Sequence, residues 1–373
     1  MRFPWLAALA ALLLPLIGCA PQERPPPRPF ATAPAQRLPP APPPEGPMRR
    51  VGLLLPLSGG NAPLGQAMLN AAQLALFDQG DRRVAFLPRD TRGTPDGAAE
   101  AARAAAAEGA VALAGPLTLG ETAAVARSTG LPIFALTSDE AQAAGHVWVL
   151  GLTPTQQVRR VMAAAGDHGA RRFGLLAPDD AFGQRLAAAM RAAAAQAGWP
   201  APAVQLVPAR APDVAAAVPG LLAQRPDAVL IGYSGAGARA AAQAIAAAGP
   251  PPLLLGTSLW AGDASLAAEP ALAGALFPGP DPAGRERFDN HYAAAFEERP
   301  PRLAGPAYDA AALAARTARE GAPPIGAAFL GADGPIRLGE GGVVRRGLAV
   351  FAVRPGGEPA LVEPAPLPGG AGS

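Results

Sequence analysis

The most catalyst-like stretch of the 373-residue chain is Gly232-Tyr233-Ser234-Gly235-Ala236. It is one residue short of the Gly-x-Ser-x-Gly elbow, which lifts a serine nucleophile onto a sharp strand-to-helix turn. Asp263 or Asp281 and then His291 follow in the order of a hydrolase triad. The fifth position is Ala, however, and His291 stands in Arg287-Phe288-Asp289-Asn290-His291-Tyr292, which reads as the face of a helix. The overlapping Gly235-Ala236-Gly237-Ala238-Arg239-Ala240 imitates a dinucleotide fingerprint, but the next apolar run, Leu253 to Leu255, ends without the acid that would take a ribose hydroxyl. Asp179-Asp180 and Glu297-Glu298 are sequence neighbours, which diverge on a helix instead of forming a paired acid/base site. His146 and His168 read as solvated side chains near helix ends. The reading is therefore a non-enzymatic protein.

Composition narrows the chemistry further. All 31 basic residues are Arg, so no lysine is available for a Schiff base, a pyridoxal linkage or a P-loop. One Cys and three dispersed His build neither a structural zinc site nor a disulfide framework, so neither metal nor cofactor is expected. Half the residues are apolar, enough for a sizeable core.

The single thiol, Cys19, has a special position. Met1-Arg2 begins a short apolar run to Ile17 that is interrupted by Pro4 and Pro15, which suits a secretory signal over residues 1–18 and not a membrane span of about 20 residues. The run ends in Leu16-Ile17-Gly18-Cys19, which resembles the bacterial lipobox, so Cys19 is expected to carry the lipid anchor. Ala20 follows it, where an Asp would favour retention at the inner membrane; a periplasmic protein held at the outer rather than the inner membrane is expected. From Ala20 to Pro47 twelve of 28 residues are Pro, so residues 19–47 read as an extended polyproline tether from the lipidated Cys to the body. The body that follows carries 27 Arg and 27 acids. It lacks the cation excess that displacing phosphate counterions would need, which argues against nucleic acid as a partner.

The remaining candidates sit in loops, and the elements around them fix where those loops go. Apolar runs at residues 51–55, 84–87, 111–114, 133–136, 147–150, 173–176, 203–207, 228–231 and 253–255 alternate with Ala-rich stretches of helical length, such as Gly65–Asp78, Asp96–Glu108, Gln156–Asp167, Gln184–Gln196 and Ala236–Ala247. Continuous apolar strands separated by helices predict parallel sheets covered on both faces, and a break near Thr153 predicts two lobes. In such sheets a ligand lies beyond the carboxyl ends of the strands. The loops there supply the candidate cleft: Ser58 and Gly59, Thr118 and Leu119, Thr137 and Ser138, Phe182, Tyr233, Ser258 and Trp260. Small residues leave room, hydroxyls orient and aromatics stack; the same hydroxyls are also the usual caps of the helices that follow.

These loops, in order, resemble the leucine-binding protein family. The residues that carry the resemblance are Val51-Gly52-Leu53-Leu54-Leu55-Pro56-Leu57-Ser58-Gly59, Gly115-Pro116, Asp179-Asp180-Ala181-Phe182-Gly183, Ala307-Tyr308-Asp309-Ala310, and Phe329 with Gly331 before Gly334-Pro335-Ile336-Arg337. The resemblance implies the α/β type I periplasmic-binding fold: two Rossmann-like lobes with parallel sheets, joined by a three-strand hinge. It implies a binding domain over 48–355, with lobe 1 at 48–152 plus 278–322 and lobe 2 at 153–277 plus 323–355, and a flexible tail at 356–373. Amino-acid receptors of this family grip the ammonium and carboxylate with hydroxyls, an aromatic and often an acid. Here Leu119 stands at the first hydroxyl position, beside Thr118, and Thr257-Ser258 at the usual place of the acid. Leu150-Gly151-Leu152-Thr153-Pro154-Thr155-Gln156-Gln157-Val158-Arg159-Arg160-Val161 and Leu255-Gly256-Thr257-Ser258-Leu259-Trp260 are similar to the penicillin-binding protein activators of the family. That branch implies a lipoprotein whose partner is a peptidoglycan synthase. The other branch implies the substrate-binding protein of an amino-acid-type ABC transporter, with a permease and a small amino-acid-like ligand as partners.

Overall fold

The computed structural model describes residues 46–80, 82–208 and 213–367. The signal segment, Cys19 and the tether as far as Glu45 lie outside the described residues.

The first apolar run forms β1 (Arg49–Leu55), buried from Val51 onward. It pairs in parallel with β2 (Val84–Asp90) on one side and β3 (Ala110–Ala114) on the other, and β4 (Ile133–Ala135) and β5 (Val147–Val149) extend the sheet in the order β2-β1-β3-β4-β5. The connecting helices are α1 (Ala62–Gln79), α2 (Pro95–Ala107) and α3 (Leu119–Ser128). Their starts follow from local chemistry. Thr94 caps α2 ahead of Pro95, and Thr118 forms a capping box with Glu121 on α3. Alanine-rich faces then pack closely: Ala98, Ala101, Ala102 and Ala105 of α2 cover one face of the sheet, with Leu54, Leu113 and Ile133 beneath.

The second half repeats the scheme. β6 (Phe173–Asp179), β7 (Ala203–Pro208), β8 (Ala228–Ile231), β9 (Leu253–Leu255) and β10 (Leu276–Gly279) lie parallel in the order β7-β6-β8-β9-β10. α4 (Pro154–Asp167), α5 (Ala181–Ala197), α6 (Val214–Leu222) and α7 (Gly235–Ala247) cover it. After β10 the chain returns to the first lobe as α8 (Pro282–Phe296) and α9 (Ala304–Glu320), whose Ala310, Ala311, Leu313 and Ala314 join the core of β1 and α1. The architecture is the expected α/β fold of two parallel-sheet lobes, and the chain crosses between them three times, near Leu150–Thr153, at Pro280–Asp281 and at Gly347–Leu348.

Two segments lie elsewhere than the sequence suggested. Residues 323–347, expected in the second lobe, form a separate antiparallel sheet of β11 (Ala328–Gly331), β12 (Gly334–Leu338) and β13 (Val344–Arg346). Its Ile336 and Leu338 are buried in the first lobe's core. A buried ion pair fastens it there: Arg346 Nη1 lies 3.0 Å from Asp309 Oδ2 of α9, both side chains are 0% exposed, and Arg346 Nη2 donates to the Leu150 carbonyl. Asp309 also accepts from the Ala332 amide at 2.7 Å. Burial pushes the Asp309 carboxyl up, to about 6, against the pull of Arg346. The second difference is at the tail. β14 (Ala349–Ala352) adds antiparallel to β10, and Ala360–Glu363, expected within a flexible tail, pairs with β14 as β15. Glu363 holds Arg160 of α4 at 2.7 Å, which ties this last strand to the second lobe.

Candidate functional site

Both sheets have their first strand between the second and third, so the order reverses beside β1 and beside β6, and the loops that leave the strand ends there face the cleft. In the first lobe these are the loops after β1 and β3. Gly115 sits at φ 88°, and a Cβ there would come within 2.2 Å of the Leu54 carbonyl, so only glycine permits this close passage between the two strands. Ser58 and Gly59 are exposed at the end of β1. The Asp90 carboxylate at the end of β2 accepts the amides of Leu57, Ser58 and Arg92 at 2.8–3.2 Å. Burial alone would raise the Asp90 carboxyl, but the Ser58 side chain and these amides outweigh it and hold it below the usual range.

The expected grip residues then separate by what already binds them. The Thr118 hydroxyl donates to Glu121 Oε2 at 2.7 Å and receives the Glu121 amide at 3.3 Å, so it is a helix cap. Leu119, the first residue of α3, is 44% exposed with an apolar side chain. Thr137 is buried and accepts the Asp139 amide at 3.2 Å, whereas Ser138 beside it is exposed. Phe182 is half-buried at the start of α5 and packs on the second core, and its amide donates to Asp180. Tyr233 is also half-buried, with a hydroxyl enclosed without a hydrogen-bond partner among the described residues. Burial, and then the nearby Asp180 charge, push that phenol up.

Ser258 and Trp260 depart most from expectation. Ser258 is buried, its amide donates to Gln157 of α4 at 2.9 Å, and its carbonyl receives Arg302 at 2.8 Å. Trp260 is 1% exposed, donates Nε1–H to the Tyr233 carbonyl at 2.8 Å and packs against Phe277. A Cβ on Gly256 would lie 2.2 Å from the indole ring, so glycine is what lets the ring fold back into the core. Trp260 is a core residue, and the sequence alone, with its Gly-Thr-Ser-Leu-Trp loop, gave no periodicity to reveal that.

Residues outside the expected set bridge the lobes. Arg185 of α5 pairs with Asp139 of the β4 loop at 3.1 Å. Thr155 of α4 donates to Glu140, Gln156 of α4 donates to the Val344 carbonyl of β13 at 2.9 Å, and Arg302 reaches Ser258. These contacts bridge the two lobes. Asp139 stood in the Thr137-Ser138-Asp139 loop already singled out, but nothing local to Arg185 could name its partner 46 residues away.

The hydrolase constellation is not assembled. His291 lies on α8 of the first lobe against Asp78 of α1, at 3.4 Å, whereas Ser234 begins α7 of the second lobe. Asp263 is held by the Gly235 amide and Asp281 caps α8. Of the Gly-rich imitation of a nucleotide fingerprint, Gly237 simply gives room to the Tyr233 ring. Among the described residues no group of three or more His, Cys, Asp or Glu is placed to hold a metal, and no helix is long and apolar enough to cross a membrane. A cavity of about 730 Å³ lies at the hinge instead of at the strand ends. It has stacked Phe277 and Phe351 in its wall, facing Arg285, Asp289 and Arg302, and contains none of the ten cleft candidates.

Solved structures share this architecture at low sequence identity. A putative branched-chain amino acid ABC transporter protein from Rhodospirillum rubrum superposes with a TM-score of 0.75 at 20% identity, over 84% of this chain and all of that one. A leucine-binding protein from Thermotoga maritima gives 0.59 at 19%, over 85% and 99%. The C-domain of LpoA from Haemophilus influenzae, described as a regulator of PBP1A, gives 0.67 at 19%, over 84% and 99%. No curated protein matches the sequence. The profile described as periplasmic binding protein matches residues 49–332, most of the chain and all of the first lobe's parallel sheet and the second's five parallel strands. The chain belongs to the periplasmic binding protein family.

Proposed function

We propose that the protein is a lipid-anchored, non-enzymatic member of this family that activates a penicillin-binding protein, and so peptidoglycan synthesis, by contact. The observation that carries the reading is how the cleft residues are engaged. Thr118 caps its own helix, Ser258 is bonded to Gln157 and Arg302, and Trp260 is in the core. An amino-acid zwitterion brought here would lose water around both charges without gaining this set of partners, and an unpaired buried charge is strongly unfavourable. The lobes are instead latched to one another by Arg185–Asp139 and its neighbours. A polyproline tether after Cys19 suits reach across a periplasm better than delivery to a permease at an adjacent membrane. The likeness to the PBP1A regulator supports the same reading.

A receptor for an amino-acid-type ABC transporter is the second reading. The exposed Ser58 and Ser138 hydroxyls at the strand ends favour it.

Two measurements separate them. The mature lipoprotein in detergent, added to a purified penicillin-binding protein of the same bacterium, should raise the rate of glycan-strand synthesis; no change in rate rejects activation. Thermal shift against branched-chain and polar amino acids should stay flat. A receptor at ligand concentrations of 100 Kd would gain about 2.7 kcal/mol, and such a rise establishes the second reading in place of the first.

A further inference from the structure

A groove on the first lobe lies away from the cleft, between β11 and α8. It holds a cavity of about 390 Å³ lined by Asp78, Arg287, Phe288, His291, Tyr308 and Leu330 among others. Three features mark it as a surface for another chain. First, among the described residues β11 is the edge of its sheet and pairs only with β12, so one side of its backbone has no strand neighbour there. Second, Leu330 of β11, which lines the cavity, is 60% exposed. A large apolar side chain bared at the rim of a cavity beside a strand edge offers a contact to an incoming chain. Third, the polar floor is set by a short network. The Tyr308 hydroxyl donates to Asp78 Oδ2 at 2.7 Å, His291 Nδ1 lies 3.4 Å from the same oxygen, and Phe288 meets the Tyr308 ring edge-on at 5.4 Å.

With Asp78 committed to Tyr308 and His291, Arg287 is left as an exposed cation with no ion pair among the described residues. A carboxylate from outside is its complement.

We infer that this groove docks an extended acidic segment of the penicillin-binding protein, laid beside β11 with a carboxylate on Arg287 and an apolar side chain against Leu330 and Phe288. Strand addition supplies main-chain hydrogen bonds, while the cavity and the guanidinium select the side chains. The inference rests on the function proposed above and names the surface through which it acts.

The test uses the full-length lipoprotein in detergent micelles and the purified penicillin-binding protein, with binding followed by biolayer interferometry. Arg287→Glu and Leu330→Asp, both at exposed positions, should each weaken binding about tenfold or more, with melting curves unchanged by circular dichroism. Arg191→Glu, on the exposed face of α5 in the other lobe, should bind as the unmodified protein does. Unchanged affinity in either groove variant, or an equal loss in Arg191→Glu, overturns this surface while leaving the proposed activation in place. No binding by the unmodified protein overturns both.

Discussion

Replacing Trp260 by Ala distinguishes a ligand-stacking residue from a core residue. The indole is 1% exposed, packs on Phe277 at 6.2 Å between ring centres, and closes over Gly256. A buried Trp side chain removes about 150–250 Å² from water, and at about 25 cal/mol per Å² this corresponds to about 4–6 kcal/mol. Measured truncations of buried Trp fall at about 3–5 kcal/mol, so the expected loss is about 4 kcal/mol. For a body of this size that is a fall of roughly 10 °C in Tm. Trp260→Phe keeps a ring but orphans the Tyr233 carbonyl, at an expected cost of about 1–2 kcal/mol. Gly256→Ala places a Cβ 2.2 Å from the ring and is destabilising by itself, yet in the Trp260→Ala background the ring is gone and most of that cost should vanish. Urea denaturation of the five proteins, followed by far-ultraviolet circular dichroism, measures all of this, with the unmodified protein, Trp260→Ala, Gly256→Ala and their combination as a double-mutant cycle. A Trp260→Ala loss below about 1 kcal/mol, or strictly additive effects of the two positions, would refute the placement of Trp260 in the core.

Arg185→Ala removes the Arg185–Asp139 pair, whose side chains are 36% and 13% exposed; the expected effect on stability is at most about 1 kcal/mol, but the lobes should open, seen as a larger radius of gyration by small-angle X-ray scattering. An unchanged radius shows that the remaining contacts latch the lobes without it. Asp227 is held well below the usual carboxylate range by the Arg172 guanidinium and then by the amides of Arg171 and Arg172. Because its folded pKa is depressed, its stabilisation is complete above about pH 4 and is lost as pH falls below that, so Asp227→Asn should lower Tm at pH 7 and converge with the unmodified protein towards pH 2. Parallel curves across that range refute it. Deleting residues 357–373 removes β15 and leaves Arg160, 7% exposed, without Glu363; a clear loss of Tm is expected, whereas a true tail would be dispensable.

The parallel sheets were legible because each strand buried on both faces is a short unbroken apolar run: residues 228–231 and 253–255 match β8 and β9 residue for residue. The small sheet was not, because β11 reads Ala-Phe-Leu-Gly with two exposed residues, and what sets its place is the Asp309–Arg346 pair, a contact between residues 37 apart in the chain. β15 escaped for a similar reason. Its Ala-Leu-Val-Glu is half exposed and flanked by prolines, and only the pairing with β14 and the reach of Glu363 to Arg160 order it. In the cleft, the loops were found correctly as strand ends, but the partner of each hydroxyl was not readable. Thr118 is an exception: Glu121 stands three residues on, the spacing of a capping box, so its local role was written in the sequence.

The engagement of the cleft residues bears on how such a body could regulate a partner. The partly exposed Arg185–Asp139 pair contributes about 1 kcal/mol or less, and the hydrogen bonds of Gln156 and Arg302 between the lobes about 0.5–3 kcal/mol each. The lobes themselves are held by two-sided cores, which do not yield at that level. Opening and closing is therefore the low-energy motion available to the molecule, and a partner need supply only a few kcal/mol of differential binding to bias it. The groove beside β11 belongs to the lobe whose small sheet is bonded to α4 of the other lobe through Gln156 and the Val344 carbonyl. β12 separates β11 from β13, so the small sheet reaches from the groove to that contact. If docking at the groove shifts that sheet, Gln156→Ala should weaken the coupling between docking and the angle between the lobes while leaving both cores intact, read as the change in radius of gyration on adding the partner; an equal change in both proteins refutes the link.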